Sequence, residues 1–177
     1  MKHISINVMS EKSVLKAIKQ IQDYKVQFNQ KCSTFVERLA ELGLQTAQQS
    51  ASMSPMGNTV AFHVENHDMF DSYIAMLIGQ GGTHQTDGYP PANTLLLIEF
   101  GAGIVLNSVA NPEAGQFGMG VGTFPDEKHA FDPEGWYYPD ESGVWHHTYG
   151  VKAEMPMYRA ETGMILNIES IAREVFK

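Results

Sequence analysis

Apolar residues recur in alternating steps of four and three along the first quarter of the chain: Val14, Ile18, Ile21, Phe28, Cys32, Phe35, Leu39 and Leu42, with Lys25 and Thr46 as polar interruptions of the same series. Such a seam predicts an amphipathic helix. Ser10 followed by Glu11 supplies a capping hydroxyl and an acid for its start, and Pro55-Met56-Gly57 sets its end. A helix of about forty residues would be roughly 60 Å long, so a break near Asp23-Tyr24-Lys25 is an alternative. The seam suits packing within the fold or pairing with a second subunit.

Ahead of the helix, Ile4 to Val8 alternates and reads as a short strand. Beyond it, Val60, Phe62 and Val64 share one face of a strand, Asn66-His67-Asp68 has turn chemistry, and Phe70 to Ile78 is the return strand. Apolar residues on both faces of that return (Phe70, Ile74, Met76 and Ile78 against Tyr73, Ala75 and Leu77) predict a central strand. After a Gly- and Pro-bearing loop over residues 79–91, Thr94 to Phe100 is a buried segment, strand or short helix. Trp136-Tyr137-Tyr138 and Val144-Trp145-His146 flank Pro139 to Gly143 and predict an aromatic hairpin. Pro156 then opens a final helix striped by Met157, Ala160, Met164, Ile168, Ile171 and Val175. The expected class is α+β: a long N-terminal helix and a C-terminal helix packed around a mainly antiparallel sheet, in one domain over residues 1–177.

Residues 101–135 break these periodicities. Their ordering would cost roughly 35–70 kcal/mol of backbone entropy, against about 1.5–3 kcal/mol from each of Phe117, Phe124 and Phe131 if fully buried. The expectation is a mobile insert that becomes ordered when a partner covers it.

Composition narrows the function classes. The chain has 177 residues, 43% of them hydrophobic, and a net charge of −8, which disfavours broad attraction to nucleic acid or an anionic membrane. Cys32 is the only cysteine, which excludes a disulfide within one chain and fits a reducing compartment. The N-terminal stretch has no apolar signal core, and no apolar run reaches transmembrane length, so an intracellular, soluble product is expected.

Candidate chemistry is weak throughout. His63, Glu65 and His67 have strand spacing for a metal, but three such residues on one strand more often form a polar outer face. Adjacent His146 and His147 point to opposite faces. Gly118-Met119-Gly120-Val121-Gly122 lacks the Lys-Ser/Thr of a phosphate loop. Cys32 lies on the helical seam, where a thiol acts as a small hydrophobe. Asp126-Glu127 and Asp140-Glu141 fall in polar turns. Neither catalytic residues, metal nor cofactor is expected. The hairpin aromatics Trp136, Tyr137, Tyr138, Trp145 and Tyr149 could stack on sugars, or clamp the sheet or a neighbouring subunit.

Glu99-Phe100-Gly101-Ala102-Gly103-Ile104, then Glu134-Gly135-Trp136-Tyr137-Tyr138 with the return Val144-Trp145-His146-His147, then Val151 to Ala160, stand in an order that resembles the minor head–tail joining, or tail-completion, proteins of long-tailed bacteriophages and prophages. Those show Glu-Phe-Gly-Thr-Gly, a Gly-rich insert, a Trp-Tyr hairpin with a Trp-His return, and a Pro-Phe-Met opening of the last helix. Here Ala102 stands in place of Thr and Met157 in place of Phe, and the family's loop before the sheet is barely recognisable around Ser54 to Thr59. The resemblance covers residues 99–160. It implies a structural virion protein at the head–tail junction, made in the host cytoplasm. It further implies a non-enzymatic homo-oligomer, in a ring, that binds connector or tail proteins without direct nucleic-acid or membrane recognition. A tail terminator and a carbohydrate-binding module are the alternatives. The expected assembly contacts are Glu99, Phe100, Gly101, Gly103, Phe117, Phe124, Phe131, Trp136, Tyr137, Tyr138, Trp145 and Tyr149. At Gly101 and Gly103 the chain can turn sharply off a buried segment, leaving Glu99 at the core edge for a partner's cation or a local backbone NH.

Overall fold

The computed structural model describes residues 4–69, 72–84, 91–107, 111–119, 131–140 and 142–177. The chain is α+β. Helix α1 spans Glu11–Ala51 without a break. Its start is the expected one, since the Ser10 side chain accepts from the backbone NH of Ser13. Residues 4–7 are not a strand. Among the described residues no strand pairs with them, and instead Asn7 closes a turn onto the helix start: its carbonyl accepts from Ser10 NH and its own NH donates to Ser13 Oγ.

Strands β1 (Val60–Met69) and β2 (Ser72–Gly81) form an antiparallel ribbon. The expected turn at Asn66-His67-Asp68 is strand instead, with His67 opposite Ile74 and Met69 opposite Ser72. The chain therefore reverses after Met69, and Phe70, expected as strand, lies outside the described residues. Among the described residues the ribbon has only these two strands, so β2 is not a central strand. Its Tyr73, Ala75 and Leu77 face turns toward α1, while Ile74 and Met76 stay exposed. Twisted ribbons of two strands need a helix behind them, and α1 is that helix. A short pair, β3 (Thr83–His84) with β4 (Ala92–Asn93), leads into α2 (Thr94–Phe100). Helix is the outcome for Thr94–Phe100 because the Asn93 side chain caps it, accepting from the NH groups of Leu95 and Leu96. The hairpin of β5 (Trp136–Pro139) and β6 (Trp145–Thr148) is present. So is α3 (Pro156–Val175), with Pro156 in its first turn. Among the described residues the strands thus pair as three separate antiparallel ribbons.

Helix α3 runs antiparallel along α1. Ser50 Oγ donates to the Glu154 carbonyl, Met164 approaches Gly43, Arg38 pairs with Glu174 at 2.6 Å, and Phe176 packs on Phe28 and Phe35 at 5.9 Å. The core lies between these helices, β2 and α2: Ala40, Ala47, Ala51, Ile98, Ala160 and Ile171 are buried. Gly43 lets α3 and Leu77 come close to α1. Since α3 ends beside Phe28, the first seventeen residues of α1 extend past it. Of these only Ala17 is buried, and Ile18, Ile21 and Tyr24 of the seam face are exposed. The seam therefore packs within the fold only from about Phe28 onward.

Candidate functional site

The residues that carry the family resemblance converge in space. Glu99, on the last turn of α2, is 6% exposed. Its carboxylate accepts from the backbone NH of Met157 at 2.7 Å, from that of Tyr158 at 3.0 Å, and from Asn111 Nδ2 at 2.8 Å. Met155, which precedes α3, lies in the left-handed region and gives the helix no side-chain cap. Glu99 takes that role from a distance of fifty-odd residues in sequence, satisfying two first-turn NH groups at the positive end of the helix dipole. The backbone NH groups that Glu99 meets are therefore distant in sequence, where a local one was expected. Burial pushes its carboxyl above the ordinary value, against the lowering effect of the three donors and with a small further push from Glu113.

A second knot joins α2 to the hairpin. Ala102 and Val151 form an antiparallel bridge, with N–O distances of 2.8 and 2.9 Å. Buried Asn107 donates from Nδ2 to the carbonyls of Gly103 at 2.7 Å and Val151 at 3.1 Å, and its Oδ1 accepts from Ala153 NH at 2.8 Å. A single amide, which carries both donors and an acceptor, thereby ties three chain segments. Gly101 ends α2 at φ 72° and Gly103 follows at φ 78°, as a sharp turn off a buried segment requires. A Cβ on Gly103 would come within 3.0 Å of the Trp136 ring, and one on Gly150 would meet the Ala102 carbonyl. Trp136 is thus seated over the glycine turn and fixes the hairpin to the body.

Several expected assembly contacts are therefore used internally. Glu99, Phe100, Gly101 and Gly103 are buried, so they position the surface and do not form it. Trp136 and Tyr138 are half-buried. Phe100 stacks on Phe117 at 5.6 Å, leaving Phe117 itself largely exposed. Phe131 is exposed, and Phe124 lies outside the described residues. Within residues 101–135, the parts at 101–107 and 111–119 hold defined contacts, with Ala114 and Asn111 buried.

The hairpin has two unlike faces. Tyr137 pairs with His147 across the ribbon, and Pro139 with Trp145. Tyr149 meets His147 edge-on at 4.8 Å. This face is an open aromatic stripe, with Tyr137 and Trp145 each 63% exposed. Behind it, Tyr138 lies against His146 at 5.7 Å. The intervening turn is tied by Asp140, which accepts from Ser142 NH and Val144 NH, each at 2.9 Å, from Ser142 Oγ at 2.6 Å, and pairs with His146 Nε2 at 2.7 Å. The Ser142 hydroxyl, then His146, hold the Asp140 carboxyl far below its ordinary range. His147 reaches the Glu134 carbonyl at 2.7 Å.

Elsewhere, Glu65 lies between His63 and His67, at 3.3 and 3.6 Å through different oxygens. Among the described residues no cluster has the geometry to hold a metal ion, and no helix is long and apolar enough to cross a membrane. Sequence reasoning missed Asn107, Asn111 and Gly150. An amide set inside an apolar run, as in Val105-Leu106-Asn107, is the signal that points to a buried backbone clasp. Comparisons with protein-family models, with curated proteins and with solved structures find no match for this chain.

Proposed function

We propose that this chain is a structural joint of a tailed-phage virion, a neck or tail-completion subunit that acts by adhesion at the head–tail junction and not by covalent chemistry. The observation that carries the reading is how the resembling residues are used. Glu99, Gly101, Gly103, Trp136 and Gly150 form a rigid mount, and what they hold outward is the aromatic face of Tyr137, Trp145 and Tyr149. Aromatic residues with apolar bodies and polar tips are favoured in protein interfaces. A mount of this kind needs no reacting group, and its stiffness lowers the entropy lost on docking. In this reading the active form is a ring of copies bound to connector or tail proteins, made in the host cytoplasm and retained in the virion.

The test is the double variant Tyr137→Ala with Trp145→Ala. Both side chains are exposed, so the fold should be retained; the yield of joined particles in an otherwise complete phage should fall at least tenfold, with full heads and free tails accumulating. Normal yield would rule out the hairpin as the docking surface. The exposed stripe also favours a second reading, a carbohydrate-binding module, since sugars stack on such faces. Binding of the wild-type chain to a glycan array, lost in the same variant, would select it.

A further inference from the structure

The aromatic hairpin carries a charge pattern that stacking rings alone do not require. Between residues 131 and 151 the sequence has the carboxylates Asp132, Glu134, Asp140 and Glu141, and neither a lysine nor an arginine. The next cation along the chain, Lys152, is paired with buried Glu154 at 2.8 Å. Of the hairpin's own side chains, then, none is permanently positive.

The acids stand at both ends of the aromatic stripe. Trp145, His147 and Tyr149 alternate along β6 and its continuation, a span of about 13 Å in extended chain. At one end Pro139 lies opposite Trp145, and Asp140 follows it directly. At the other end Trp136 pairs with Thr148, so the chain leading into β5 runs beside Tyr149. There the Glu134 carbonyl meets His147 Nε2 at 2.7 Å, and the Glu134 side chain is exposed. Asp132 fixes this entry by accepting from Glu134 NH at 2.9 Å. The His147 ring stands 4.8 Å from both Tyr137 and Tyr149. The rings are therefore set in place by internal contacts, with a negative charge beyond each end.

We infer that this face receives an extended, arginine-bearing segment of a partner protein, its guanidinium planes on Trp145, Tyr137 or Tyr149 and its charges held between Asp140 and Glu134. Charge complementarity selects this occupant. A guanidinium is the cation that both stacks flat on an aromatic ring and meets a carboxylate with paired NH groups. Lysine brings the charge without the plane. A neutral sugar would use the rings and gain nothing from the acids, and a nucleic acid would be repelled by them. Extended backbone fits because residues four apart on one strand face the same side at the spacing of Trp145 and Tyr149. The inference rests on the proposed function for the partner's place in a virion, and it adds the chemistry by which that partner is held.

The test is titration calorimetry of the full chain with a Gly/Ser peptide that carries two arginines four residues apart, and with its Lys and Gln counterparts. The Arg peptide should bind with Kd below about 1 mM and weaken as salt is added. The Lys peptide should bind about threefold more weakly or worse, and the Gln peptide not measurably. Glu134→Gln, an exposed change that keeps the backbone contacts, should weaken the Arg peptide about threefold and flatten its salt dependence. Tyr137→Ala with Trp145→Ala should abolish binding. An Arg peptide that fails to bind, a Gln peptide that binds equally, or binding untouched by both variants would overturn the inference. So would capture of a glycan that Glu134→Gln leaves unchanged, since the acids would then have no part in recognition. Failure here is separable from failure of the virion reading. If the Arg peptide does not bind but Tyr137→Ala with Trp145→Ala still blocks joining of heads to tails, only the inference falls; if it binds and joining is normal in that variant, only the virion reading does.

Discussion

Glu99 shows how one side chain can decide the geometry of a surface it never reaches. Its carboxylate supplies the cap that Met155 cannot give α3. Glu99→Gln keeps the shape but turns an NH₂ toward an NH donor, and should cost about 1–3 kcal/mol in urea unfolding at neutral pH. The pH dependence follows from the direction of its shift. A carboxyl raised by burial favours the protonated form in the fold, so its contribution is complete in acid and is lost as pH rises through the raised value. The urea-midpoint gap between wild type and Glu99→Gln should therefore narrow as pH rises above the ordinary carboxyl value of 4.5; a gap that widens with rising pH would contradict the assignment. At Gly150, with φ 100° and the Ala102 carbonyl and Trp136 ring in the way of a Cβ, Ala should cost about 2–4 kcal/mol and raise Trp136 fluorescence quenching by solvent. Asp140 lies outside the core and acts locally. Its depressed carboxyl contributes fully above its ordinary value of 3.8 and loses its effect only as pH falls below that. Amide exchange at Val144 should accordingly stay slow from neutral pH to about 4, and quicken at neutral pH in Asp140→Ala.

At the scale of elements, α1 is two objects in one helix. From about Phe28 onward it is the spine against which β2 and α3 pack; before that it is a solvent-facing arm. Hydrogen exchange should resolve this in dilute protein, with residues 12–26 exchanging at least tenfold faster than residues 38–50. Uniform protection would contradict the division. The periodicity of Val14 to Leu42 was enough to read α1 from sequence, and the Pro156 start and the Trp-Tyr hairpin were equally legible, because each is local chemistry. What covers each face was not legible. The seam at Ile18 and Ile21 reads like that at Phe35 and Leu39, and only the end of α3 separates them. The same limit explains β2: apolar residues on both faces suggested a central strand, yet Ile74 and Met76 line a groove and a surface. Asn66-His67-Asp68 has turn residues, but extending the pairing to Met69 and Ser72 satisfies more backbone groups, and the ladder prevails. Ile4 to Val8 alternates, but among the described residues no strand pairs with it. Of the site, the aromatic positions and the glycine turn were readable; the clasp at Asn107 and the cap by Glu99 were not, because each joins residues more than forty apart in sequence.

On the scale of the whole molecule, the chain combines a mount, an outward aromatic face and an exposed helical arm. Large apolar side chains left open on several elements mark contact sites in soluble assemblies. The aromatic face lies on the β5–β6 hairpin and the arm on α1, which under the proposed function leaves one surface for sister copies and another for neighbouring virion parts. Under the proposed function, the most direct measurement is electron microscopy of particles made by a phage or prophage that encodes this chain, with the chain withheld and then restored in trans. The account predicts DNA-filled heads and separate finished tails without the chain, and joined particles on its return. Joined, infectious particles in normal number without it would contradict the account.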